Sequence, residues 1–237
     1  MIICQLGMER VVIILYALLG FALGAPINAL ADALPLHKPV EWPAYLTRRA
    51  PPRFREVAVH LATAALFAFL WTRYAGEDFV QLALVTGYTL VLALVTVTDL
   101  EHRLIPDWAI LPAIGIAALA APLRFGDRWA FALAGGAVGF IFFFIAARLG
   151  ERFLGSGALG DGDVKLAAFV GLISSFPQIF VALVVALTVG GVIGLLLLVT
   201  RRVTMRSAIP YGPFIVIGGF YAMVWGTEVV RWYAAKF

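Results

Sequence analysis

Cysteine, charge and histidine are all scarce in this chain. Cys4 is the sole cysteine, which excludes an intramolecular disulfide and any Cys-x-x-Cys metal pair. The three histidines, His37, His60 and His102, share no ligand spacing, so no metal site is expected and His102 reads as a residue of the membrane interface. Charged residues make up 14% of the chain, against about 25% in an average soluble domain. No run of basic residues marks a nucleic-acid surface. Hydrophobic residues, by contrast, reach 62% of 237 positions. A water-soluble globule of this size has too little interior for that much apolar side chain, and disorder requires low hydrophobicity. What remains is an all-α, polytopic membrane bundle, read as a single membrane domain over 1–237.

Apolar runs broken by charges and turn residues predict eight spans, near 11–31, 56–74, 79–98, 108–123, 129–147, 164–176, 178–200 and 209–231. A bilayer core of ~30 Å takes ~20 helical residues. The segment 164–176 is too short to cross untilted, so it is expected to be extended by its neighbours or sunk into the bundle. The first run is longer than the core of a signal peptide and reads as a retained span, with the residues before Met8 expendable. Basic residues divide unevenly between the two sets of loops. Twelve (Lys38, Arg48, Arg49, Arg53, Arg55, Arg103, Arg148, Arg152, Lys165, Arg201, Arg202 and Arg206) fall on one side and six on the other. The positive-inside rule puts the richer side in the cytoplasm and both termini outside. Glycine pairs four apart, Gly20/Gly24, Gly135/Gly139 and Gly190/Gly194, either allow close helix packing or reflect how common glycine is in membrane helices.

Two polar clusters interrupt span ends: Thr98-Asp99-Leu100-Glu101-His102-Arg103-Leu104-Ile105-Pro106-Asp107 and Gly160-Asp161-Gly162-Asp163-Val164-Lys165-Leu166. The span before Asp99 ends at the cytoplasmic face and the segment after Asp163 starts there. Both carboxylates are thus expected at one depth, where ionisable groups are functional by default. Close together, two carboxyls cannot both ionise freely; sharing a proton, one activates water while the other polarises a carbonyl. Gly160 and Gly162 would permit positive φ and close backbone approach, and Lys165 would anchor its helix at the interface. The plainer reading is a polar turn, with Asp107 capping the next helix, beside an ordinary glycine loop.

These blocks resemble the type IV prepilin peptidases. Gly160-Asp161-Gly162-Asp163 is similar to their Gly-x-Gly-Asp, and the match runs on through Gly162-Asp163-Val164-Lys165-Leu166. The Asp99–Asp107 stretch looks like the first catalytic block with its Ile105-Pro106-Asp107 close. Ile209-Pro210-Tyr211-Gly212-Pro213-Phe214 resembles a third segment, and Gly24 through Pro35, with Asn28, Leu34 and Pro35, loosely resembles the end of the first helix. The resemblance implies catalytic Asp99 and Asp163, with Asp161 at the variable position; a frame using Asp161 instead would need glycine where Ala158 stands. Pro106, Asp107, Gly160, Gly162 and Lys165 are supporting motif residues, Asp107 in a capping or positioning role. It implies an endopeptidase that removes short basic leaders from type IV prepilins or pseudopilins in the inner membrane. Glu41, Glu56 and Glu101 are the candidate contacts for such a leader.

The chain departs from the family pattern in two places. Loop 32–55 lacks the cysteines of the family's zinc insert, and Ala33 stands where arginine often precedes Leu-Pro. No cofactor is expected unless N-methylation, which would take S-adenosylmethionine, accompanies cleavage. The rivals are therefore a bifunctional peptidase and methyltransferase and, in another class, a proton-coupled transporter.

Overall fold

A computed structural model describes residues 2–36, 38–43, 46, 51, 53–154, 160–201 and 210–236. His37, Arg48, Arg49, Ala158, Arg202, Arg206 and Ile209 therefore lie outside the described residues. Among the described residues the regular structure is helical, in eight α-helices: α1 (Ile2–Ala33), α2 (Phe54–Tyr74), α3 (Phe79–His102), α4 (Asp107–Phe125), α5 (Trp129–Leu154), α6 (Asp161–Ser174), α7 (Ile179–Val199) and α8 (Gly212–Ala234). Among the described residues six stretches are long and apolar enough to cross a bilayer, and one of them, 107–152, holds both α4 and α5. The expected number of helices is present; α6 is the exception to spanning length. Its 14 residues rise about 21 Å, short of a core of ~30 Å.

The helices form two compact units, Met1–Leu94 and Val95–Phe237. In the first, α1 packs on α2 through the foreseen glycines. A Cβ at Gly20 would lie 2.5 Å from the Thr63 carbonyl oxygen, and one at Gly24 would lie 2.8 Å from His60 Cα. The closeness serves packing and also buries polar groups, which must then be satisfied. Buried Asn28 donates to the Glu56 carbonyl at 3.3 Å. The Arg55 guanidinium forks onto Asp32 at 2.7 and 3.0 Å, the bidentate geometry arginine favours.

In the second unit, α6 packs against α4, α5, α7 and α8. Its residues from Val164 to Ser174 are mostly buried, as expected of a helix apolar all round. Small residues set its approach to α5. Gly135 faces Gly171 and Gly139 faces the Ala167 carbonyl, a spacing of four on both helices that brings backbone onto backbone. Gly190 of α7 packs under the Tyr211 ring, 2.9 Å from where its Cβ would be. Elsewhere, leucine and phenylalanine side chains such as Leu119, Phe140, Leu195 and Leu196 stand exposed. In water such faces would be an aggregation liability; against lipid they are the solvated surface.

Helix ends differ from the spans read in sequence where polar residues prolong a helix past its apolar run. Thus α3 continues through Asp99 to His102, because the Asp99 carbonyl still finds a donor, the Arg103 N–H at 2.9 Å. It stops there since Arg103 turns left-handed at φ 52°, and residues 104–106 lead directly into α4.

Candidate active site

Both aspartates singled out in the sequence belong to the second unit, on helix ends. Asp99 lies in the last turn of α3 and Asp163 is the third residue of α6. They are 5% and 9% exposed, and buried carboxylates need donors. Each has a backbone N–H from a helix start, Asp99 from a neighbouring helix and Asp163 from its own. The Gly212 N–H, on the first residue of α8, donates to Asp99 Oδ2 at 3.0 Å. The Gly160 N–H, just ahead of α6, donates to Asp163 Oδ2 at 3.2 Å. Such N–H groups have no partner inside their own helix, so two helix starts supply what the two acids require.

Asp163 precedes the apolar run of α6, and its carboxyl is pushed up to about 7. Burial is the main cause, the neighbouring Asp99 charge adds to it, and the Gly160 N–H opposes it. The two carboxyls therefore act on each other, and a proton is retained near neutral pH. Tyr211, immediately before α8, has its phenol pushed up by burial and then by Asp163. Its ring leans on Phe143 and Phe214, and its hydroxyl reaches the Ala186 carbonyl at 3.4 Å.

The supporting motif residues have more specific roles than their residue types alone suggest. Pro106 ends the 103–106 turn in extended conformation, and its carbonyl accepts the Ala109 and Ile110 N–H groups at 3.0 Å. Asp107 is inside α4, not its cap. It pairs with Lys165 at 2.6 Å, so the lysine expected to anchor α6 at the interface ties the N-terminal parts of α6 and α4 together. Among the described glycines only Gly126 has positive φ, so the freedom expected of Gly160 and Gly162 is not used. Gly160 is extended at φ −79°, and its role is the amide it gives Asp163. Close approach is what Gly162 provides, since a Cβ there would lie 2.9 Å from Ile105 Cβ.

The three glutamates considered for leader contact are dispersed. Glu101 is exposed at the end of α3, 3.9 Å from His102. Glu41 is exposed in the first unit. Glu56, in contrast, is buried and engaged: it accepts the Arg53 N–H at 2.6 Å across the start of α2. That is a helix-capping role, which its place three residues after Arg53 could have signalled. Among the described residues no group of three His, Cys, Asp or Glu side chains is arranged to hold a metal ion. Sequence reasoning missed the contact of Gly212 on Asp99, as it did the Asp107–Lys165 pair. Only Pro213, a residue favoured at helix starts, marked that position as the beginning of α8.

Residues 86–195 match the family model described as the type IV leader peptidase family. Three similar curated proteins are each named prepilin leader peptidase/N-methyltransferase. The Bacillus subtilis protein is 30% identical over 183 residues, covering 76% of this chain and 70% of that one. The Pseudomonas aeruginosa protein is 29% identical, over 74% of this chain and 60% of its own. The Aeromonas hydrophila protein is 29% identical, over 80% and 64%. The chain thus spans about 60–70% of the length of these relatives. No solved structure matches.

Proposed function

The chain belongs to the type IV leader peptidase family, and on that premise we propose that it is a membrane aspartyl endopeptidase cutting the basic leader from type IV prepilins or pseudopilins, with Asp99 and Asp163 as its catalytic residues. The observation that carries the reading is a pair of buried carboxyls at helix ends, each bonded to a helix-start N–H, with the Asp163 carboxyl pushed up to about 7 by burial and by Asp99. Near neutral pH the pair carries one proton and one negative charge. The ionised member takes a proton from water as its oxygen attacks the scissile carbonyl, and the protonated member gives its proton toward the carbonyl oxygen. On collapse of the tetrahedral species the C–N bond breaks: the carboxyl that took the water proton passes it to the leaving amine, and the other carboxylate takes back a proton from the gem-diol hydroxyl, restoring the singly protonated pair. The protonation states belong to the pair and not to either residue.

Position in the bundle supports the same conclusion. Transporter sites usually lie near the bilayer midplane at broken helices, whereas Asp99 and Asp163 belong to the last and first turns of their helices. A site at helix ends suits a substrate whose own apolar segment lies in the bilayer and whose leader lies in water. The excess of basic residues in the flanking loops supports a cytoplasmic position for that face with the termini outside, and the family supports the inner membrane as its location. Cleavage by a carboxyl pair draws on no cofactor. The relatives' names also contain an N-methyltransferase; S-adenosylmethionine would be needed only if that reaction accompanies cleavage here, and the mass of the mature pilin terminus, with or without one added methyl group, decides it.

Co-expression of a type IV prepilin with Asp99→Asn, Asp163→Asn and Asp161→Asn variants tests the proposal. Processing is expected to be lost in the first two and retained in the third, because Asp161 is exposed. Processing that survives Asp163→Asn overturns the assignment.

A further inference from the structure

Two observations converge on the start of α8. The Gly212 N–H is bonded to Asp99 Oδ2, and a Cβ at residue 212 would fall 2.6 Å from that same oxygen and 3.0 Å from Cγ. The carboxylate therefore occupies the place a side chain would take. We infer that Gly212 is a positioning residue of the carboxyl pair: its amide aims Asp99, and its missing side chain is what lets the carboxylate reach that amide. The inference rests on the peptidase reading above and adds a third element, α8, to the site.

The requirement is steric and cannot be met by rotating a distant group. The Asp99 backbone is held by α3, which is helical through this turn, and its carboxylate is buried, with little room to turn away. The start of α8 is fixed as well. The Tyr211 ring is wedged against Phe143, Phe214 and Gly190, Pro213 follows at once, and the Phe214 and Ile215 N–H groups bond the Tyr211 carbonyl at 3.0 and 3.3 Å. With both partners held, a methyl group at 212 displaces the carboxylate. Restoring ordinary contact at 3.4 Å moves Oδ2 by about 0.8 Å and stretches or breaks its bond to the amide. Misplacing a reacting group by ~1 Å can cost ~10²-fold in rate. Other glycines of α8 are different in kind. Gly219 packs on the Val170 side chain and touches no acidic group.

Gly212→Ala in the full chain, purified in detergent with a prepilin as substrate, is expected to lower kcat roughly 10²-fold with KM unchanged. Gly219→Ala is expected to lower the unfolding temperature while kcat of the folded enzyme is kept. A double-mutant cycle in thermal unfolding separates the contact from general packing. Gly212→Ala should destabilise the wild-type chain and cost nothing in an Asp99→Ala background, whereas Gly219→Ala should cost the same in both. If Gly212→Ala alone fails to fold, recovery of folding in Gly212→Ala/Asp99→Ala supports the inference and continued failure overturns it. Wild-type kcat in folded Gly212→Ala, or an equal stability cost in both backgrounds, also overturns it. Cleavage surviving Asp99→Asn would instead strike the peptidase reading, and the stability cycle would still report on the contact.

Discussion

The crossing of α5 and α6 offers a perturbation whose size follows from interatomic distances. Gly171 faces Gly135, and a Cβ at 171 would stand 2.5 Å from the Gly135 carbonyl carbon and 2.8 Å from Gly136 Cα. Both are main-chain atoms of a helix and cannot turn aside. The Gly135 carbonyl oxygen lies closer still, so restoring ordinary contact at 3.4 Å parts the helices by at least about 0.9 Å. That separation also loosens the neighbouring contacts of Gly139 with Ala167 and Gly136 with Leu172. Overpacking of this kind costs about 1–3 kcal/mol. Alanine recovers roughly 0.5–1 kcal/mol over glycine inside a helix, so Gly171→Ala should be destabilising on balance. At Gly191 of α7, an added Cβ would meet nothing within 4 Å, so alanine there isolates the favourable part alone. The two variants should therefore differ by about 1–3 kcal/mol, or roughly 2–4 °C in unfolding temperature per kcal/mol for a chain of this size. Thermal unfolding followed by circular dichroism in one detergent measures both. Equal unfolding temperatures for Gly171→Ala and Gly191→Ala would refute the claim that backbone contact sets this crossing.

Cleavage should depend on pH through the shared proton. Because the Asp163 carboxyl is raised to about 7, the singly protonated pair persists up to neutral pH and is lost above it, so kcat should fall as pH rises through about 7. A rate still climbing well above that pH would show that no carboxyl proton is required. On α2, Glu56→Ala removes the acceptor of the Arg53 N–H and should cost about 0.5–2 kcal/mol, the range for a lost helix cap, read as a lower unfolding temperature; an unchanged temperature would mean the bond contributes nothing.

Much of this protein is legible in its sequence. The surplus of apolar side chains dictates helices in a bilayer, because there is no other way to satisfy the backbone of such long apolar runs. The order of polar blocks locates Asp99 and Asp163 at helix ends, and the glycines at 20, 24, 135 and 139 do sit at close helix contacts. These features are local: each depends on a run of residues and the solvent it meets. Glu56 reads as a leader contact because acidity suggests a basic ligand, while its spacing from Arg53 marks a cap.

What depends on distant segments meeting was not legible. The Asp107–Lys165 pair joins residues 58 positions apart, and Gly212 reaches Asp99 across 113. Neither pattern of residues announces its partner, since an aspartate needs some donor but does not specify which. Only the packing of α3, α4, α6 and α8 selects the Gly212 amide for Asp99 and lysine for Asp107. Residue chemistry thus determined that a membrane bundle with an acidic pair would form; helix packing decided which groups hold the acids, because buried hydrogen bonds go to whatever donors the fold brings within reach.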